Sequence, residues 1–297
     1  MSRFLGIAVV QRQTFEASAE KNLAEIESTI DLLAMEYPWV RLVVFPELAV
    51  TGFGLDPFAF GESVPGPATD RLAKKAKETG KWIIPGSMIE VADGRIYNTM
   101  PVLSPDDGLV AAYRKMNPFS PLEPCVPGSE NVVVDMPGIG KLGLLICYDL
   151  YFPEMARTLV SMGAEVIIHP SLTPATLNYT EVLTRRAMAM LNQAYVVGAS
   201  SCGVHFGIAT PGHSMIVDPE GIVLQEAGDA PSIQIEMLDL DRVTMVREVG
   251  LKGSVPIFKH LNHFAHTWPV YGNQKASSPY LSRFGSPNEL PADLNNL

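Results

Sequence analysis

Apolar positions recur along the chain with two periods, one typical of strands and one typical of helices. Residues 4–10 form a short apolar, partly β-branched run, which predicts a buried strand. The segment 17–35 then has apolar residues at spacings of three and four, at Leu23, Ile26, Ile30 and Leu33. That spacing predicts an amphipathic helix, so the chain opens as a strand followed by a helix.

The same two patterns recur to about residue 250. Apolar runs bounded by turn residues predict further strands at 41–45, 82–91, 96–103, 109–114, 132–134, 142–147, 166–169, 195–200, 213–217, 222–225 and 232–237. Helical spacing predicts helices at 69–79, 154–162, 181–192 and 240–249. Two rounds of strand–helix alternation with inserted hairpins predict an α/β protein whose helices cover mixed sheets.

No linker, charged block or internal repeat divides this pattern. We therefore predict a single domain over residues 1–272. Residues 273–297 are rich in Ser, Asn and Pro and contain few clustered hydrophobic residues. This composition predicts an extended C-terminal tail that either dangles or covers a neighbouring surface.

The composition narrows the class of protein. Hydrophobic residues make up 47% of the 297-residue chain and charged residues 18%, which is typical of a globular enzyme. The formal charge of −10 repels phosphate backbones and anionic lipids, so we expect no nucleic-acid partner. The longest apolar runs are far shorter than the roughly 18 residues that a membrane span requires, and residues 4–10 lead into no cleavage site. We therefore expect a cytoplasmic protein with no membrane association.

The cysteines argue against disulfide and metal chemistry. Cys125, Cys147 and Cys202 are odd in number and widely spaced. Such spacing fits neither a disulfide framework nor a zinc site built from paired Cys-x-x-Cys ligands. We expect at least one free thiol and predict no metal or other cofactor.

Cys147 is the strongest candidate for a reactive group. It ends the most apolar strand of the chain, and Pro153-Glu154 begin a helix shortly after it. Ligands bind at the carboxyl ends of strands in α/β folds, and an approaching helix N-terminus favours a thiolate. Position alone nevertheless favours a buried structural cysteine, because free cysteine is among the most buried residue types.

Two charged residues occupy equivalent places and change this balance. Glu47 follows the strand that ends at Phe45, and Lys115 follows the strand that ends at Arg114. Both side chains are therefore expected at sheet edges, where they could share one cavity with Cys147. A carboxylate can take the thiol proton and an ammonium can stabilise a thiolate and an oxyanion, so the trio suits covalent chemistry on an acyl group.

The residues around this trio make the sequence resemble a known family. The segments 45–47 (Phe-Pro-Glu), 113–115 (Tyr-Arg-Lys) and 146–149 (Ile-Cys-Tyr-Asp), with Phe152-Pro153-Glu154, resemble the three signature blocks of the nitrilase superfamily of carbon–nitrogen hydrolases. The resemblance implies an α/β fold in the form of a four-layer αββα sandwich. It also implies a homo-oligomer, as a dimer or a larger assembly, and a Glu-Lys-Cys triad.

The loop after Lys115 is similar to that of one branch of the superfamily. Residues 117–128 read Asn-Pro-Phe-Ser-Pro-Leu-Glu-Pro-Cys-Val-Pro-Gly, which resembles aliphatic amidases and formamidases. The resemblance implies a second catalytic glutamate at Glu123. Two features depart from that branch, because Tyr148-Asp149 is typical of Nit-like enzymes and ω-amidases and Leu48 stands in place of an aromatic residue. The substrate therefore stays open.

These assignments lead to a mechanistic expectation. Glu47 would accept the Cys147 proton, a thioester would form, and the oxyanion would be held by Lys115 and the backbone N–H of Tyr148. Glu123 would orient the amide or the incoming water. The Pro-rich loop and the segment after strand 166–169 predict a tight apolar pocket, with substrate-binding residues at Phe119, Tyr148, Ser171 and Leu172.

The expected reaction is cleavage of a small linear amide to a carboxylic acid and ammonia. An ω-amidase or an N-carbamoyl amino acid hydrolase stays possible, because Arg157, Arg185 or Arg186 could meet a substrate carboxylate. A nitrilase is a weaker alternative, since Tyr148-Asp149 replaces the usual Trp-Glu. A catalytically silent metabolite-binding scaffold is the alternative outside enzymes. The three charged residues argue against such a scaffold, because burying charges beside a thiol costs solvation free energy and a silent protein would gain nothing from it.

Overall fold

A computed structural model of the chain describes residues 3–52, 54, 56–120, 122–205 and 207–264. The tail predicted for residues 273–297 lies outside the described residues. Strands account for much of the described part. In chain order they are β1 (Phe4–Gln11), β2 (Leu42–Val44), β3 (Trp82–Ile84), β4 (Met88–Ala92), β5 (Arg95–Ser104), β6 (Gly108–Arg114), β7 (Val133–Met136), β8 (Gly140–Leu144), β9 (Val166–Ser171), β10 (Tyr195–Ser200), β11 (Cys202–His205), β12 (Ile208–Pro211), β13 (Met215–Val217), β14 (Val223–Glu226) and β15 (Ser232–Asp239).

Helices connect many of these strands. They are α1 (Ala19–Glu36), α2 (Pro57–Phe60), α3 (Pro67–Thr79), α4 (Pro153–Ser161), α5 (Asn178–Asn192), α6 (Asp241–Val249) and α7 (Ile257–Phe264). Short 3₁₀ turns lie at Cys147–Tyr151 and Ala175–Leu177. Across the ranges given above, no helix has the length and apolarity needed to cross a membrane.

The strands form two large mixed sheets and a small hairpin. The first sheet has seven strands in the order β15-β1-β2-β3-β5-β4, with β6 also paired to β5. The second has six strands in the order β14-β13-β10-β9-β8-β7. Parallel pairing is central in both, joining β1 with β2 and β3, and β9 with β8 and β10. β11 and β12 form a separate hairpin.

The alternation of side chains along the strands builds two cores. In β1 and β2, Ile7 and Val44 belong to a core that also contains residues of the second sheet, whereas Ala8 and Val43 belong to a core shared with α1 and α3. On the second sheet, α4 packs against β8 and α5 packs against β10 and β13. The layers are therefore helix, sheet, sheet and helix, and the predicted αββα sandwich is confirmed.

The predicted strand 82–91 is wrong in one respect, because it is two strands. The chain bends at Gly86, which has a φ of 80°, a left-handed value that favours glycine. A Cβ atom at this position would overlap the carbonyl oxygen of Pro46. Gly86 therefore allows the connection between β3 and β4 to lie directly against the residue before Glu47.

The predicted strand 142–147 also ends early. β8 stops at Leu144, and Cys147 opens a 3₁₀ turn instead of ending the strand. The β11–β12 hairpin and α7 were not anticipated from the sequence. Apolar residues alternate over 202–208, but glycines stand between them at 203 and 207, and glycine is depleted in strands. The 3₁₀ turn contains Cys147, and the hairpin contributes His205 and Ile208 to the wall of a cavity.

Candidate active site

Four polar side chains meet where strands of the two sheets end. Glu47 lies just after β2 and Lys115 directly after β6, both in the first sheet. Glu123 lies in the loop that follows Lys115, and Cys147 lies just after β8 in the second sheet. The structure thus brings together all four residues that the sequence proposed for catalysis.

Lys115 is bound between the two carboxylates. Its Nζ donates to Glu47 Oε1 at 2.8 Å and to Glu123 Oε2 at 2.7 Å, and all three side chains are almost completely buried. Burial alone would discharge the ammonium, but the charges of Glu47 and Glu123 outweigh it and raise the pKa of Lys115 well above its usual range. Lys115 is therefore a permanent cation at the centre of the site.

Asn98 links the same two carboxylates, and the sequence analysis did not find it. Its Nδ2 donates to Glu47 Oε1 at 2.9 Å and to Glu123 Oε1 at 2.8 Å. The signal that could have found it is an asparagine, which is depleted in strands, in the middle of the buried strand β5. One amide group of Asn98 thus holds both carboxylates at a fixed spacing.

The two carboxylates differ in their readiness to take a proton. Burial raises the pKa of Glu47, and the charge of Glu123 adds to this effect while Lys115 opposes it. Burial acts in the same sense on Glu123, but Lys115 and the backbone N–H of Phe119, which donates at 2.8 Å, lower its pKa overall. Glu47 is thus the better proton acceptor and Glu123 the better fixed charge.

Cys147 rests as a thiol and not as a thiolate. Burial, together with the negative charge of Glu47, raises its pKa well above the ordinary value. The expectation that the following helix would favour a resting thiolate is therefore wrong. Glu47 and Cys147 line the same cavity, so the Glu47 carboxylate is available as a base for the thiol proton.

A buried carboxylate, Asp149, ties the turn at Cys147 to the loop at Lys115. It accepts hydrogen bonds from the hydroxyl of Tyr113 at 2.7 Å, from the backbone N–H of Asn117 at 2.8 Å and from the backbone N–H of Ile146 at 3.0 Å. Tyr113 and Asn117 flank Lys115 in the chain. Asp149 therefore fixes the thiol-bearing turn relative to the ammonium-bearing strand.

The substrate-binding residues predicted from the sequence divide into two groups. Phe119, Tyr148 and Leu172 line a cavity at the four polar residues, and the rings of Phe119 and Tyr148 meet edge to face at 5.2 Å. The backbone N–H of Leu172 also donates to Glu47 Oε2 at 2.8 Å. The structure does not bring Ser171 to the cavity, because its fully buried hydroxyl instead accepts from Arg185 Nη2 at 2.9 Å.

The cavity has a volume of about 260 Å³ and mostly apolar walls. Besides the predicted residues it is lined by Leu48, Leu122, Tyr151, Thr173, Pro174, Leu177, His205 and Ile208. His205 and Ile208 come from the hairpin that the sequence did not reveal. A volume below the roughly 300–1,000 Å³ of pockets for drug-sized ligands suits a small substrate.

None of the three arginines considered for a substrate carboxylate lines this cavity. Arg185 is fully buried and binds Glu181 Oε1 at 2.8 Å. Arg157 donates to the carbonyl of Leu191 at 2.7 Å, and Arg186 to that of Gly221 at 3.4 Å. Of the described lining residues, only Lys115 and His205 can carry positive charge.

Within the described ranges, no group of three or more His, Cys, Asp or Glu side chains could hold a metal ion. Cys125, Cys147 and Cys202 are free thiols.

Comparison with known proteins matches residues 6–248 to the carbon-nitrogen hydrolase family. The chain belongs to this family. The resemblance to the nitrilase superfamily is therefore confirmed. So is the prediction of a hydrolase that acts on non-peptide carbon–nitrogen bonds.

Relatives of this carbon-nitrogen hydrolase include amidases. It is 31% identical to an omega-amidase of Xenopus tropicalis over 236 residues, which are 75% of this chain and 83% of the relative. It is 34% identical to a formamidase of Bacillus cereus over 192 residues, which are 63% of this chain and 58% of the relative.

A solved structure shares the fold. Nit3 of Saccharomyces cerevisiae, a member of branch 10 of the nitrilase superfamily, matches with a TM-score of 0.77 and 28% identity, covering 84% of this chain and 94% of that one. The family and the fold of this carbon-nitrogen hydrolase are thus shown on independent grounds.

Proposed function

We propose that this enzyme hydrolyses small, linear, uncharged amides to a carboxylic acid and ammonia through a thioester on Cys147. One observation carries the proposal. A permanently charged Lys115 is bound between two carboxylates beside a thiol, at the base of a small and mostly apolar cavity. This arrangement supplies a nucleophile, a base and a cation for an oxyanion within one water-poor space.

In the first half-reaction Glu47 accepts the Cys147 proton while the sulfur attacks the amide carbonyl. The new carbon–sulfur bond leaves a negative charge on the former carbonyl oxygen, which Lys115 and the backbone N–H of Tyr148 stabilise. Tyr148 is the second residue of the short 3₁₀ helix Cys147–Tyr151. The first N–H groups of a helix have no hydrogen-bond partner within that helix. Glu47 then gives its proton to the amine nitrogen, the carbon–nitrogen bond breaks, and ammonia leaves.

In the second half-reaction a water molecule replaces ammonia. Glu47 takes a proton from this water, and the resulting hydroxide attacks the thioester carbonyl. The carbon–sulfur bond breaks, the thiolate recovers the proton from Glu47, and a carboxylic acid leaves. Glu123 accepts a hydrogen bond from the amide nitrogen or from the water and thereby orients each for attack.

An omega-amidase reaction is the second candidate, because a relative of that activity shares 31% identity with this chain. Such a substrate carries a carboxylate at its far end. Arg157, Arg185 and Arg186 all lie away from the cavity, which disfavours an anionic substrate. A nitrile is disfavoured as well, since it has no NH₂ group for Glu123 to bind.

The test is ammonia release from formamide, acetamide, butanamide, glutaramate, an N-carbamoyl amino acid and a nitrile. We expect the neutral amides to give the highest kcat/KM. The highest value for glutaramate would replace the proposal with the omega-amidase reaction.

The nucleophile is tested separately. Cys147→Ala should abolish ammonia release while the protein stays folded, and Cys202→Ala, which changes a thiol outside the cavity, should retain it. Substantial turnover by Cys147→Ala would refute the assignment.

We also propose that the enzyme forms a homo-oligomer. Large apolar side chains of α5 face solvent, with Tyr179 80% exposed and Leu183 52% exposed, and apolar surface of this kind is typical of contacts between subunits. Sedimentation velocity tests this, because a monomer at micromolar concentration would contradict it.

A further inference from the structure

Three buried groups outside the catalytic four form a chain that leads to Cys147. Arg185 Nη2 donates to Glu181 Oε1 at 2.8 Å, and Arg185 Nε lies 3.1 Å from His169 Nδ1. His169 Nε2 lies 2.9 Å from the carbonyl oxygen of Cys147. All three side chains are at most 1% exposed. A buried ion pair is costly to form, so its position behind the thiol calls for an explanation.

Only one arrangement of protons satisfies the hydrogen bonds among Arg185, His169 and the Cys147 carbonyl. A guanidinium can only donate, so Nδ1 of His169 must accept from Arg185. Burial and the nearby charge of Arg185 lower the pKa of His169 to about 4, which keeps the ring neutral with a single N–H. That proton therefore lies on Nε2, and His169 donates to the Cys147 carbonyl.

This hydrogen bond acts on the peptide group that contains the proposed oxyanion donor. The carbonyl of Cys147 and the N–H of Tyr148 belong to one planar unit and point in opposite directions. Fixing the carbonyl therefore fixes the direction of the N–H. Cys147 has a φ of 46°, a left-handed value that costs free energy in a residue other than glycine, so this peptide needs a contact that holds it.

The same bond also changes the strength of the donor. Hydrogen bonds in a chain polarise one another, and a donor on the carbonyl draws electron density away from the amide nitrogen. The positive Arg185 behind His169 increases this effect. The N–H of Tyr148 thus becomes a stronger donor towards negative charge on the far side of the peptide.

We propose that Glu181, Arg185 and His169 are positioning residues that orient and polarise the Tyr148 N–H for the oxyanion. The inference rests on the proposed function, since it assigns that N–H to the tetrahedral intermediate. None of the three side chains lines the cavity, so they act through the peptide and do not touch the substrate. The sequence analysis considered Arg185 only as a group that could bind a carboxylate.

Two substitutions at His169 test the proposal. His169→Leu removes the donor, and we expect kcat for amide hydrolysis to fall about 100-fold, as for loss of one oxyanion donor, with KM changed less than about threefold. His169→Gln keeps an acceptor for Arg185 and a donor for the carbonyl, so it should recover kcat to within about tenfold of wild type. Ser171→Ala is the matched control, because it removes one partner of Arg185 and leaves His169 bonded.

Alkylation of Cys147 by iodoacetamide separates positioning from a general structural role. Displacement of iodide by sulfur forms no oxyanion, so its rate in His169→Leu should stay within about threefold of wild type. Equal losses in alkylation and amide hydrolysis would overturn the proposal. An unchanged kcat in His169→Leu would overturn it as well.

Binding of propanal provides a readout that does not require amide turnover. The Cys147 sulfur adds to the aldehyde carbon, the carbonyl π bond becomes an oxyanion, and the thiol proton moves to Glu47. We expect about 100-fold weaker binding to His169→Leu and near wild-type binding to His169→Gln. Equal binding to all forms would refute the positioning chain.

If no amide is cleaved by the wild type, the proposed function fails, and propanal binding still decides the role of His169. If His169→Leu does not fold, the double variant Glu181→Gln, Arg185→Met gives a second comparison. It removes the cation behind His169 without leaving a buried carboxylate unpaired, so it should weaken propanal binding several-fold. No change in propanal binding would count against the proposal.

Discussion

Lys115 is one ammonium that serves two buried carboxylates, and this ratio decides how protons are shared at the site. With both carboxylates ionised the trio would carry a net negative charge away from water, which is unfavourable. The opposite pKa shifts of Glu47 and Glu123 relieve this, because the first takes up a proton more easily and the second stays ionised. Asn98 donates a hydrogen bond to each carboxylate, so Lys115 is not their only shared hydrogen-bond donor.

Glu123→Gln tests this division of labour. The substitution removes one negative charge and leaves Lys115 paired with Glu47, so Cys147 should still react with iodoacetamide at near the wild-type rate. Amide turnover should fall about 100-fold or more, because the substrate nitrogen and the water lose an oriented acceptor. The measurement is kcat for ammonia release beside the alkylation rate.

Glu130→Gln is the control, since Glu130 is an exposed carboxylate of the same connection and should retain both reactions. A parallel loss of alkylation and turnover in Glu123→Gln would show that Glu123 holds the site together and does not orient the substrate.

At the scale of elements, the ends of strands and the segments packed beside them determine the geometry. The residues after β2 are held by the connection between β3 and β4, where Ser87 Oγ accepts from the backbone N–H of Leu48 at 2.9 Å. Gly86 makes this contact possible because it has no Cβ to meet Pro46. The position of Glu47 therefore depends on a glycine in a different loop.

Gly86→Ala should destabilise the protein and displace Glu47. The new methyl group would overlap the backbone of Pro46 and would also sit at a positive φ, so we expect a loss of more than about 2 kcal/mol in unfolding free energy and a large fall in kcat. Gly94→Ala is the control, because Gly94 also has a positive φ but has open space around it. It should cost only about 1 kcal/mol and spare kcat. Equal effects of the two substitutions in urea titrations would contradict this account.

The same scale explains what could be predicted from the sequence. Glu47 and Cys147 each follow a buried apolar strand, which is visible because buried strands consist almost entirely of hydrophobic residues. Lys115 follows β6, which is mostly half exposed but still contains a short apolar run. Asn98 was not found because a single polar residue inside a strand has no period. His205 and Ile208 lie on a hairpin of two short strands that are half exposed and interrupted by glycine, so the sequence gives only a weak strand signal there.

For the whole molecule, the two faces of the first sheet contribute to two different hydrophobic cores. One face packs on α1 and α3, and the other packs on the second sheet. The central strands β1 and β2 are apolar on both faces, so their sequence predicts burial but does not distinguish the faces. The four-layer order was predicted from the resemblance to the nitrilase superfamily. The side chains buried in the second sheet include titratable groups such as the neutral ring of His169, and these couple the stability of the molecule to pH.

Stability should fall as the pH drops from about 6.5 to about 4 because His169 is buried as a neutral ring. Its pKa is lowered to about 4 in the folded protein, whereas the unfolded chain binds the proton near pH 6.5. The stabilisation is therefore complete above pH 6.5 and is lost as the pH falls towards 4, by about 3 kcal/mol.

His169→Gln should remove this part of the slope. Urea unfolding measured at intervals from about pH 7 to about pH 4 tests the prediction by the difference in slope between the two proteins. Identical slopes would show that His169 does not carry the effect.

The thiol belongs to one sheet, while the ammonium and both carboxylates belong to the other. A shift of one sheet relative to the other by a single ångström would preserve the hydrogen bonds within each sheet and each helix. Circular dichroism would therefore record an intact molecule. The sulfur would nevertheless miss its base, and a misplacement of that size can cost about 100-fold in rate. Ammonia output is therefore a finer gauge of how the sandwich is aligned than any spectrum of its secondary structure.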